Sequence, residues 1–215
     1  MTPPQAPATR GRRRQADRSR ASRKAILDVT LDAIHARGLS GTSTNDVTRL
    51  AGVSRGALLH HFPTRVILLQ EALRYLLVTE TTAIERLAEQ VETGEVDFQT
   101  FLETLWEHFS GRMFMITLEF LAAARTDAAI RETLTTVALE FNASLDGIWE
   151  RMELMSSRTV REQRLALNTT LCMLRGMGTQ SVWRDDPQLF RDMLDFWRRT
   201  LEDAGLLRVT VIPQK

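Results

Sequence analysis

Residues 42–65 read TSTNDVTRLAGVSRGALLHHFPTR. Ser43 is placed to cap a short helix, and Asp46, three residues on, completes a box-like start. Val47, Leu50 and Ala51 are the apolar positions of that helix. Gly52 sits where a sharp turn needs a left-handed backbone. Val53 plugs the turn, and Ser54 caps a second short helix with Leu58 facing inward and Phe62 at its end. Helix, tight glycine turn, helix is the helix-turn-helix pattern. If the second helix lies in a major groove, its early outward positions must be small, or long and polar. Arg55, Gly56, Ala57 and His60 meet that demand. Arg55 can fork onto a guanine edge or hold a phosphate, Gly56 lets the backbone approach closely, and Ala57 is small enough to touch a thymine methyl.

The charge distribution agrees. The 215-residue chain carries a net charge of only +1. Residues 1–65 hold twelve Lys/Arg against four Asp/Glu, a net +8, and residues 66–215 hold sixteen against twenty-three, a net −7. One end suits a polyanion and the rest does not. The single cysteine, Cys172, excludes an intramolecular disulfide framework and a cysteine-rich zinc site. No apolar run reaches the roughly 18–20 residues of a membrane span. The basic N-terminus is followed by no apolar stretch, unlike a secretory signal, so the expectation is a cytoplasmic protein without membrane partners.

Outward from the motif, the pattern is helical almost throughout. A first helix is expected from about Ser22 to Arg37, with Ile26, Leu27, Thr30, Leu31 and Ile34 inward and Gly38 ending it. A long helix should start near Thr64 and stop at Gly94. Further helices follow through Phe98–Phe109 and Met113–Ala124. A stripe through Ile130, Leu134, Val137, Phe141, Leu145, Ile148 and Met152 then keeps a 3.6-residue period, with Asp127 as its cap. The last two helices should cover Val160–Val182 and Pro187–Ala204, the second opened by Asp186-Pro187. The tail RVTVIPQK should be loose or weakly paired. The fold reading is all-α, in three parts. Residues 1–19, with Arg10, Arg12, Arg13 and Arg14, form a flexible basic arm, either a solvated tail or an arm that tracks phosphates or a minor groove. Residues 20–65 form a three-helix DNA-binding domain, with the helix-turn-helix at about 44–63. Residues 66–215 form a larger, acidic helical domain.

Ile26-Leu27, Gly38, Ser43, Asp46-Val47, Ala51-Gly52-Val53-Ser54, Gly56, Leu58 and His60-His61-Phe62 resemble the N-terminal signature of the TetR family of transcriptional regulators. The resemblance covers about residues 20–68. It implies a homodimeric, all-helical repressor that reads a palindromic operator in double-stranded DNA and is released by a small molecule bound in the larger domain. Carried over by position, Thr42 or Ser43 and Ser54 resemble phosphate-contacting helix starts. Arg55 and Ala57 resemble base-facing residues, His60 a backbone contact, and Arg65 a basic contact at the next helix start. Leu59 stands where the family usually has a tyrosine that bonds a phosphate. Thr48 replaces a usual alanine, and Thr44 a common aliphatic residue.

For the larger domain two readings stay open. Trp106, Phe109, Phe114, Met115, Leu118, Phe141 and Trp149 are bundle core or the lining of an apolar cavity, with Glu119, Asn142 and Asn168 as polar groups within it. Leu167, Leu171, Leu174 and Gly178 share one face of the penultimate helix, and Phe190, Leu194, Trp197 and Leu201 share one face of the last. They form the expected dimer surface, or a face wedged within their own bundle. His60-His61 point about 100° apart on a helix, which makes them poor metal co-ligands. No hydrolase elbow, phosphate-cradling loop or HExxH occurs, so neither a cofactor nor an enzymatic activity is expected. The alternatives are a constitutive DNA-binding regulator without ligand, or a helical lipid-binding protein with a basic arm.

Overall fold

The computed structural model describes residues 8–151 and 158–207. The chain is all-α. Among the described residues the helices are α1 (Ala8–Arg37), α2 (Thr44–Ala51), α3 (Arg55–His61), α4 (Arg65–Glu92), α5 (Phe98–Ser110), α6 (Arg112–Ala124), α7 (Ala128–Arg151), α8 (Val160–Gln180) and α9 (Pro187–Asp203). The caps expected at Asp127 and Asp186 form. Asp127 Oδ1 accepts from the amides of Ala129 and Ile130 at 2.9 and 3.1 Å. Asp186 accepts from Leu189 with Pro187 at the first helical position, where a missing N–H costs nothing. Thr159 and Glu162 make a reciprocal capping box at α8.

One boundary differs. The first helix begins at Ala8 rather than near Ser22, so residues 8–19, expected as part of a flexible arm, continue α1. After Pro7 this stretch is rich in Arg, Ala and Gln, strong helix formers, with Gly11 the weak point. Residues 1–7, Met152 and the RVTVIPQK tail lie outside the described residues.

A single core runs through head and body. Ile26, Leu27, Leu31 and Ile34 of α1 meet Val47, Leu58 and Phe62 of the two short helices. The same core continues through Leu69, Leu73 and Leu76 of α4. That long helix packs along α7 and against α1, and α6 bridges α1 and α7. On the far side α5 packs against both α8 and α9.

The dimer stripe expected from periodicity is corrected here. Leu167, Leu171, Leu174, Phe190, Leu194 and Leu201 are all buried inside one protomer. A Cβ added at Gly178 would lie 2.1 Å from the Phe109 carbonyl oxygen, so its small size serves the approach of α8 to α5. Trp197 is half-buried and its Nε1 donates to Thr170 Oγ1 at 2.8 Å. The most apolar stripe of each helix is the one its own bundle uses first. The faces left outward carry Val160 and Leu165 of α8 and Phe196 of α9, and the turn after α8 carries Val182 and Trp183, each more than half exposed.

Candidate nucleic-acid interface and its ties to the body

The geometry of the head begins with its caps. Ser43 Oγ accepts from the Asp46 amide at 3.1 Å and donates to Asp46 Oδ2 at 2.7 Å. That hydroxyl, together with Arg49, holds the Asp46 carboxyl below its usual range. Ser54 Oγ accepts from the Ala57 amide at 3.1 Å. Gly52 has φ 64°, and the Val53 amide after it closes onto the Thr48 carbonyl. Two capped helices and a left-handed glycine therefore set the angle between α2 and α3 without help from a ligand.

Leu58 and Phe62 are buried against α1, and the Arg23 guanidinium covers the Phe62 ring at 5.3 Å. This fixes which face of α3 points out. Arg55, Gly56, Leu59 and His60 are exposed and Ala57 is half-exposed. At Gly56 an added Cβ would meet only Ser54 Oγ, at 3.9 Å, so the protein itself does not demand glycine there. Burial, reinforced by His60 and Arg23, pushes His61 down, which favours a neutral ring. Among the two histidines, His60 is the outward one.

Two expected contacts change. Thr42 is buried, and its hydroxyl donates to the Gly38 carbonyl at 2.9 Å, so it braces the loop between α1 and α2 instead of meeting a phosphate. Ser43, beside it, is the exposed hydroxyl. Arg65 is exposed, but its Nη2 donates to the Leu39 carbonyl at 2.8 Å and to the Thr42 carbonyl at 3.4 Å. Its first task is to pin that same loop to α4.

Sequence periodicity gave no sign of the contacts that tie head to body. Glu119, expected as a ligand-facing group, accepts from the Leu39 amide at 2.9 Å. Arg112 of α6 reaches Asp32 of α1 at 2.6 Å. Arg23 of α1 pairs with Glu71 of α4; Glu71 pairs with Arg74 at 3.1 Å, and Arg74 forks onto Glu140 of α7. That fork raises Arg74 and lowers Glu140 relative to their usual values.

The remaining aromatic set does not surround one described cavity. Phe109 and Phe114 pack ring to ring at 6.0 Å, Trp106 lies on Phe190 at 4.8 Å, and Trp149 is edge-on to Phe98 at 5.9 Å. Met115 and Leu118 are half-buried against the core. Phe141 lines a cavity of about 40 Å³ between α4 and α7, beside Arg74, Leu77 and Glu140. Asn142 accepts from Arg175, and Asn168 is exposed with its amide on the Arg164 carbonyl. A larger open groove, about 340 Å³, lies between α8 and α9 and is lined by Leu165, Trp197 and Leu201 among others.

A compact all-helical head with two capped short helices, the second presenting Arg55, Gly56 and His60 outward, defines a helix-turn-helix DNA-binding protein. Residues 26–72 match the family model described as bacterial regulatory proteins, tetR family. Over 181 residues, 83% of this chain and 88% of the relative, the chain is 29% identical to the HTH-type transcriptional regulator CymR of Pseudomonas putida. It is 34% identical over 77 residues to the HTH-type transcriptional repressor KstR2 of Rhodococcus jostii, spanning about a third of that protein. A crystal structure of a TetR-family regulator from Mesorhizobium loti superimposes with TM-score 0.66 at 16% identity, covering 88% of this chain and 96% of that one. Residues 26–72 therefore carry a tetR-type DNA-binding region, and the relatives matched over the longer spans are named as transcriptional regulators. No helix among the described residues is long and apolar enough to cross a membrane.

Proposed function

We propose that the protein is a ligand-responsive repressor that binds a palindromic operator as a homodimer and is released by a small apolar or amphipathic effector. The observation that carries this reading is the set of hydrogen bonds and ion pairs that join the reading head to the body. Glu119, Arg112 and the chain Arg23–Glu71–Arg74–Glu140 join α1 and its loop to α4, α6 and α7. A movement of α4 or α6 is thereby transmitted to α3. One short recognition helix buries little area; two on a two-fold axis read half-sites whose spacing must match about 34–36 Å or a multiple of it. An effector acts only through its different affinity for the spacing that fits and the spacing that does not. The outward apolar residues of α8 and α9, Leu165 and Phe196 above all, supply the dimer face in place of the buried stripe. KstR2, named a repressor, supports that sign of regulation.

Residues 20–65 act as the DNA-binding domain and residues 66–215 as the effector and dimerisation domain. Ser43, Ser54 and His60 hold phosphates, Arg55 and Ala57 face bases, and Arg65 both braces the loop and approaches the backbone. The test is to sequence the genomic fragments retained by the purified protein and measure the stoichiometry of the complex. A two-fold symmetric site bound by two chains is expected. An asymmetric site bound by one chain overturns the dimeric reading.

A further inference from the structure

Arg175 lies on α8 at the seam where α5, α7 and α8 meet. Its guanidinium sits 5.9 Å from the centre of the Phe109 ring of α5, and its Nη2 donates to Asn142 Oδ1 of α7 at 3.2 Å. The residue is only partly exposed. Burial pushes its pKa down, and no carboxylate offsets the effect. Three acids on α4 and α7 are engaged elsewhere. Glu80 of α4 is bonded to His108, Asp146 of α7 to Arg164, and Glu140 of α7 to Arg74. Against its guanidinium Arg175 therefore has an amide oxygen and an aromatic face, with Cys172, three residues earlier on α8, favouring its charge.

A partly buried cation without an anion is costly, and a neutral amide does not discharge it. Arginine only donates, which assigns Asn142 Oδ1 as the acceptor and leaves the Asn142 Nδ2 hydrogens unused among the described bonds. The guanidinium fork lies beside the Phe109 ring with the Asn142 amide next to it. A planar carboxylate matches that fork with two parallel hydrogen bonds. We propose that Arg175 and Asn142 are the head-group subsite for the effector, and that the effector is a carboxylate carried on a small apolar body. This rests on the ligand-responsive reading above and names the chemistry of its ligand.

The test uses the full chain, scanned for thermal stabilisation with acetate, hexanoate, octanoate and benzoate, each beside its primary amide. At least one carboxylate, at about a hundred times its Kd, should raise the melting point by roughly 5–10 °C, and its amide should not. Arg175→Met should weaken that carboxylate by about 30-fold or more, while still binding operator DNA, which shows that it folds. If Arg175→Met does not fold, Asn142→Ala decides, with weaker binding of the same carboxylate expected. Equal stabilisation by the amides, retained affinity in the variants, or no response to any carboxylate overturns the subsite. Conversion of Arg175→Met to monomers with no carboxylate response also overturns it and assigns the arginine to the subunit contact. A carboxylate that binds through Arg175 without releasing operator upholds the subsite and refutes ligand-controlled release. A neutral compound that binds and releases operator independently of Arg175 does the reverse.

Discussion

Replacing Glu119 by alanine should loosen the head without touching it. The Glu119 carboxylate is the partner of the Leu39 amide, on a residue with 5% exposure just past the left-handed Gly38. Removing the acceptor leaves the N–H of that buried residue without its partner. A hydrogen bond to a charged group contributes about 1.5–3 kcal/mol. Glu119 is itself partly exposed, so screening brings the expected loss to about 1–2 kcal/mol. For a chain of this size that lowers the melting point by about 2–8 °C. The sharper readout is local. Hydrogen exchange at the Leu39 amide should accelerate more than at amides of α7 and α9, because the clasp opens before the body does. Glu119→Gln, which keeps an acceptor of the same shape, should recover most of the protection. Unchanged exchange at Leu39 in Glu119→Ala, with stability unaltered, would refute the clasp and with it the route from α6 to the head.

Other outcomes follow from the same coordinates. Gly52→Ala should cost about 1–2 kcal/mol by denaturant unfolding, all of it backbone strain, since no atom lies within 4 Å of the added methyl; an unchanged midpoint refutes the αL requirement. Arg55→Ala should reduce specific operator binding by about 1–3 kcal/mol and relax the preference at one base pair, read by competition binding; identical sequence preference removes it from base readout. Leu165→Glu combined with Phe196→Glu should give monomers by light scattering with little loss of fold, whereas a dimer that persists places the interface elsewhere. Asp97 is held below the usual aspartate range by the Thr100 amide it caps. A depressed folded pKa means its contribution is present above the unfolded value of about 3.9 and is lost as pH falls through the folded one. Wild type should therefore lose more stability between pH 5 and pH 2 than Asp97→Asn does, and parallel curves would exclude the capping carboxylate as a source of acid lability.

Local chemistry alone determined much of this protein. Ser43, Gly52 and Ser54 specify two helix starts and the turn between them through bonds no more than five residues apart, and the apolar spacing of Ile26, Leu58 and Phe62 decides which face of α3 is left for DNA. Caps at Asp127 and Asp186 are equally local, and each forms as read. Tertiary structure decided what depends on partners distant in sequence. Leu171 and Leu194 look like interface residues by periodicity, yet both are buried within the protomer, because a helix turns its most apolar stripe to its own bundle before any second subunit arrives. Glu119 reads as a pocket carboxylate until the Leu39 amide, eighty residues earlier, is found against it. Arg65 reads as a basic contact at the start of α4, and its hold on the Leu39 and Thr42 carbonyls is legible only in the structure. Periodicity reports that a side chain faces inward or outward; it carries no information about which distant group completes its hydrogen bonds, and that pairing sets both how the head is tied to the body and what lies against the Arg175 guanidinium.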